Sequence, residues 1–148
     1  MQYKENFFCR FDLLGIFRLV RCLDAGGTVT ILPDQVPRKG IFSDFFGNQA
    51  LTDLLIPKLL RRTGAAAVAV TIKRKPNGHF TVICQEPDAN IYSMSDKISA
   101  RGLNKTVESC VAQAPEQYQW EYKRFRERPA GEKKLYRFNK PVEFHSLP

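Results

Sequence analysis

Residues Pro115 to Pro129 read PEQYQWEYKRFRERP. Between two prolines this run sets four aromatics, Tyr118, Trp120, Tyr122 and Phe125, among four cations, Lys123, Arg124, Arg126 and Arg128. Aromatic faces bury area and order neighbouring guanidinium groups, so such a segment can dock on a core and hold positive charge in place. A fixed arginine suits phosphate or carboxylate, because the planar guanidinium donates in a bidentate fork. A second reading stays open, an amphipathic segment that closes a core with its charges solvated. Asp34 is the other residue of chemical interest. It follows the β-branched run Thr28 to Leu32, and α/β folds keep their ligand crevice beyond the ends of strands. An ordinary turn after Pro33 is the competing account.

The two histidines offer little. His79 follows a turn signal and His145 stands near the end of the chain, and neither has a partner that the sequence identifies. No G-x-S-x-G elbow, Walker loop or H-E-x-x-H motif occurs. Cys9, Cys22, Cys84 and Cys110 lie far apart without a C-x-x-C pair, so neither a metal nor a cofactor is expected. Free thiols in a reducing compartment are the default, with Cys84 and Cys110 in apolar patterns that suggest burial.

At 148 residues, 43% of them hydrophobic, the chain has the size and composition of one domain or a large part of one. Its formal charge of +8 favours acidic partners. The longest apolar run, Ala65 to Val70, falls far short of the ~20 residues that a membrane-spanning helix requires. The mixed stretch with Lys4, Glu5, Arg10 and Asp12 does not read as a signal peptide.

The elements that must position Asp34 and the aromatic run follow from periodicity. Ile16, Leu19, Val20 and Leu23 fit a helix face within Phe7 to Leu23, stopped by Gly26-Gly27. Thr28 to Leu32 predicts a buried strand, and VPRKGIFSDFFG a loop. A second helix is expected from Asn48, with Leu51, Leu54, Leu55, Leu59 and Leu60 as its face. Pro57 must kink it or lie near its start, and Gly64 ends it. Ala65 to Ile72 predicts a central strand, Lys75 to Gly78 a hairpin turn with positive φ open to both Asn77 and Gly78, and His79 to Gln85 the partner strand. Ser95 or Asp96 caps a third helix that buries Leu103, Val107, Cys110 and Val111 and ends at Pro115. This order predicts an α/β layer structure.

Three segments together resemble one family. ILPDQVPRKGIFSDFFGNQALT (Ile31 to Thr52), IKRKPNGHF (Ile72 to Phe80) and APEQYQWEYKRFRERP (Ala114 to Pro129) are similar, in order and spacing, to the C-terminal half of bacterial lipid A biosynthesis lauroyl/myristoyl acyltransferases. The resemblance runs from about Arg18 to Arg137. It implies the C-terminal part of a glycerophosphate-acyltransferase-like α/β sandwich, a mixed sheet flanked by helices, peripheral at the cytoplasmic face of the inner membrane. The implied reaction moves a fatty acyl group from acyl carrier protein to a lipid A precursor. The resemblance makes Asp34 the active-site acidic residue and Gln35, Arg74 and Arg124 substrate-binding residues. Phe45, Phe46, Gly47, Gln117, Tyr118, Trp120 and Phe125 become signature positions. Tyr122 stands where many members carry histidine.

One motif is absent. The family's catalytic histidine, followed after four residues by Asp or Glu, has no counterpart: the fifth residue after His79 is Cys84. Loss of a general base is worth ~10²–10⁴-fold in rate. The expectation is therefore a truncated copy, inactive alone, with residues 1–17 unmatched, 18–138 from the acyltransferase domain and 139–148 a tail. Acyl carrier protein, the lipid A precursor and an anionic membrane surface are its expected partners. The alternative is a small basic binding module for anionic lipid or nucleic acid, although no nucleic-acid motif is present and nucleic acid is not expected.

Overall fold

The structure is a computed structural model that describes residues 13–136. Helix α1 (Leu13–Asp24) opens it and stops at Ala25-Gly26, with Leu19, Val20 and Leu23 half-buried and Ile16 exposed. The predicted start of this helix at Phe7 lies outside the described residues.

Thr28 to Leu32 is extended but is not a strand, which corrects the sequence expectation. Burial alternates along it, with Leu32 70% exposed, and no neighbouring strand among the described residues gives it a ladder. The expected loop after Asp34 is also corrected. Strands β1 (Ile41–Phe45) and β2 (Asn48–Thr52) form an antiparallel hairpin, and Phe45 pairs with Asn48 across a two-residue turn. Phe46 (φ 49°) and Gly47 (φ 77°) both take positive φ, the signature of the primed turns that match strand twist. A bulky residue in that conformation costs about 1–2 kcal/mol. The cost is offset locally: Phe46 N donates to Glu108 Oε1 at 2.9 Å, and the ring packs edge-on against Phe45 at 4.7 Å.

Asn48 therefore starts a strand, and the second helix, α2 (Leu55–Thr63), begins later. Asp53 Oδ1 accepts from Leu55 N at 2.8 Å, and Pro57 sits in the first turn, where a missing amide costs no helical bond. Gly64 ends the helix in the left-handed conformation. Strands β3 (Ala69–Arg74) and β4 (Phe80–Gln85) make a second hairpin. Its turn uses positive φ only at Gly78: Gly78 N donates to Lys75 O at 3.0 Å and Lys75 N to His79 O at 2.7 Å, a tight turn followed by a bulge. The expected central strand is thus one of two, and Cys84, expected buried, is exposed.

Helix α3 (Asp96–Ala112), capped by Ser95, is the spine of the fold. It packs on β1, on β3, on α2 and on the short 3-10 turn Ala89–Tyr92. Its Leu103 joins Leu60 and Ile91 in one core, while Val107 and Val111 join Phe45 and Ala50 in another. Cys110, expected on the buried face, is partly exposed. The molecule is α/β, but its described strands form two separate antiparallel pairs and not one mixed sheet.

Candidate functional site

The aromatic-arginine run lies against the β1–β2 hairpin. Tyr118 and Phe125 pack on the core of Phe45, Ala50, Val107 and Val111, which orders the segment between them. Arg124 is 3% exposed. Its Nη1 donates to Leu51 O at 2.7 Å, its Nη2 lies 3.4 Å from Thr52 Oγ1, and the guanidinium sits 5.4 Å from the centre of the Phe45 ring. Arg128 Nη1 donates to Gln49 O at 2.7 Å and pairs with Glu132. Gln49 and Leu51 are two apart on β2, so their carbonyls lie along one edge of the strand. The two arginines close that edge. Arg124 was expected on substrate; here Nη1 is engaged by the Leu51 carbonyl and Nη2 by the Thr52 hydroxyl.

Trp120 Nε1 donates to Pro115 O at 2.8 Å, and its ring lies 4.8 Å from Tyr118 and 5.9 Å from Phe46. These contacts fix the Trp120 ring, which remains 55% exposed.

Asp34 is half-buried, and its carboxylate lies near Tyr118. Burial, then the charge of Asp34, pushes the Tyr118 pKa up to about 12, against the opposing pull of Arg124. Burial lowers the pKa of Arg124, while Tyr118 and Asp34 favour its charged form. The loop beyond Asp34 is fixed from the same run, because Val36 N donates to Tyr122 Oη at 2.8 Å. Sequence reasoning left this tyrosine without a role. Gln35 is exposed.

Asp34, Gln117 and Tyr118 line a cleft of about 860 Å³ together with Ile31, Leu59 and Val107. Asp34 is the single charged residue among the described residues in its walls. Arg74 stands apart from Asp34, at the end of β3. Its backbone N accepts no helical or ladder role there: it donates to Gln117 Oε1 at 2.8 Å, and its carbonyl accepts from Gln117 Nε2 at 2.9 Å. Its guanidinium lies over Phe80 at 6.0 Å, and with Lys73 and Lys75 it lines an open depression at the hairpin tip. The structure thus gathers Asp34, Tyr118, Tyr122 and Arg124 with Phe45, and leaves Arg74 on a separate basic surface. His79 is exposed, and His145 lies outside the described residues. Among the described residues no group of three metal-ligating side chains occurs.

The profile of the family described as "Bacterial lipid A biosynthesis acyltransferase" matches residues 5–127. The chain belongs to this family. The acyltransferase match reaches into residues 1–17, which were expected to be unmatched, and takes in Asp34, both hairpins and most of the aromatic run. The chain is 37% identical over 140 residues to the lipid A biosynthesis palmitoleoyltransferase of Escherichia coli, 92% of this chain and 44% of that protein. It is 34% identical over 135 residues to the lauroyltransferase of the same organism, 88% of this chain and 43% of the relative. It is 29% identical to the E. coli myristoyltransferase over 126 residues, covering 83% and 39%. The chain spans less than half the length of these curated relatives. No helix among the described residues of this acyltransferase-family chain is long and apolar enough to cross a membrane.

Proposed function

We propose that this chain is the C-terminal portion of a lipid A acyltransferase, of the glycerophosphate-acyltransferase-like sandwich type, and that it supplies an acidic wall of the acyl-transfer site. The observation that carries this reading is Asp34, beside Tyr118 and the one charge among the described residues that line an apolar cleft. A carboxylate so placed can orient a polar group of a substrate whose remainder is apolar. The donor is acyl carrier protein and the acceptor a lipid A precursor. Lys73, Arg74 and Lys75 present positive charge for the precursor's phosphates or for an anionic membrane surface at the cytoplasmic face of the inner membrane.

The general base comes from elsewhere. The sequence contains no His-x4-Asp/Glu motif, so no group here takes the proton of an acceptor hydroxyl, and the chain alone turns nothing over. The test is acyl transfer from acyl-loaded carrier protein to a lipid A precursor, by the chain alone and by a chimera. In the chimera this chain replaces the matching portion of the E. coli palmitoleoyltransferase. Turnover by the chimera but not by the chain is expected, and it should fall on Asp34→Asn. A chimera indifferent to Asp34→Asn, or an active isolated chain, would sink the proposal.

A further inference from the structure

Tyr122 joins two parts of the molecule that are distant in sequence, and its contact falls beside the carboxylate of the cleft. Among the described residues, the 2.8 Å bond from Val36 N to Tyr122 Oη is the one hydrogen bond to the main chain of residues 33–39. Asp34 is the last residue of its segment to line the cleft, and Gln35 and Val36 already lie outside it. The tether therefore stands two residues beyond the point where the chain leaves the cleft.

Little else in this loop is left to fix. The ring of Pro33 locks its φ, and Val36, standing before Pro37, is held toward extended geometry. Asp34 and Gln35 keep the free rotations, and Gln35 is exposed. Val36 is 9% exposed, so its N–H has little access to water and depends on the Tyr122 oxygen for a partner.

The other end of the tether is anchored. Tyr122 N donates to Gln119 O at 3.1 Å, and Arg124 N donates to Tyr122 O at 2.7 Å. On one side Tyr118 packs on the core of Phe45 and Val107; on the other Arg124 is buried against the Phe45 ring. One short run thus sets Tyr118 next to Asp34 and Tyr122 on Val36, and grips the loop at two points.

We infer that Tyr122 is a positioning residue for acyl transfer: its hydroxyl, by accepting from Val36 N, fixes the loop that aims the Asp34 carboxylate into the cleft. The inference rests on the reading of Asp34 as a wall of the acyl-transfer site. Tyr122 itself does not line the cleft, so it acts through Asp34 and not on the substrate.

Tyr122→Phe keeps the ring and removes the acceptor, and a double-mutant cycle with Asp34→Asn tests the coupling. In the full chain at neutral pH, Asp34→Asn is expected to move the Tyr118 ring signals in NMR spectra. Made together with Tyr122→Phe, it should leave them in place. The Val36 amide should exchange on the order of 10-fold faster in Tyr122→Phe, with the amides of α3 and of the β1–β2 ladder unchanged. In the chimera, Tyr122→Phe should lower kcat on the order of 10-fold at unchanged KM for the acyl donor, and lower it no further once Asp34→Asn is present. Equal losses with and without Asp34→Asn would overturn the inference, because a brace that only supports the fold acts in both backgrounds alike. So would a Tyr118 response to Asp34→Asn that survives Tyr122→Phe. Without any variant, a Val36 amide exchanging as fast as that of exposed Gln35 would overturn it too. The functional reading is judged apart: a chimera indifferent to Asp34→Asn refutes that reading, while absent coupling in a chimera that needs Asp34 refutes this inference alone.

Discussion

Arg124 and Asp34 lie in one electrostatic group but serve different ends. Arg124 is buried against Phe45 with its Nη groups on Leu51 O and Thr52 Oγ1, so Arg124→Met leaves a strand edge unsatisfied. We expect a loss of about 2–4 kcal/mol in urea unfolding. Asp34→Asn removes the charge at nearly constant volume and should change stability by less than about 1 kcal/mol, while turnover by the chimera falls. Tyr118 gives a pH signature. Its pKa rises from 10.0 to about 12, so the folded state favours the neutral phenol. The stability this contributes is fully present below pH 10 and is lost as pH climbs through about 12. Alkaline titration followed by phenolate absorbance should show a late step from Tyr118, and Tyr118→Phe should abolish that step. At this scale the sequence supplied the residue types: Asp34 and Arg124 both stood out in it. Which atoms they meet was not legible, because charge and spacing do not say whether a guanidinium finds a phosphate or a carbonyl of its own chain.

The hairpins and α3 set these residues in place, and here local signals were uneven. Ser95, Gly64 and Lys75 to Gly78 announced their cap, stop and turn, because each acts through its own neighbours in sequence. Phe46-Gly47 announced nothing, since phenylalanine is a poor residue for positive φ; only Glu108 and the rings of Phe45 and Trp120 make the turn tenable. Gly47→Ala should therefore cost about 1–2 kcal/mol in thermal or urea unfolding. Asn104 ties α3 to the hairpin, with Nδ2 2.9 Å from Asp44 O and 3.0 Å from Thr52 Oγ1 in a buried setting. Asn104→Ala removes both of these bonds, and a loss of about 1–3 kcal/mol is expected.

Across the whole molecule, positive charge and uncovered apolar surface occupy the β3–β4 hairpin together. Lys73→Ala, Arg74→Ala and Lys75→Ala combined should weaken binding to anionic vesicles by on the order of 100-fold at low salt, given about 1 kcal/mol per cation. Binding to neutral vesicles should change little, and co-sedimentation reads both. The sequence by itself determined the family and the order of most elements, since these reside in residue identity and spacing. It also marked Thr28 to Leu32 and Ala65 to Ile72 as strand-like, because β-branched and apolar content is local. Only the tertiary structure decided that, among the described residues, the first forms no ladder and β3 pairs with β4, and that Arg124 and Arg128 seal β2. A strand exists through hydrogen bonds to a distant neighbour, and a buried charge through the groups that surround it; neither neighbour is written beside the residue that needs it.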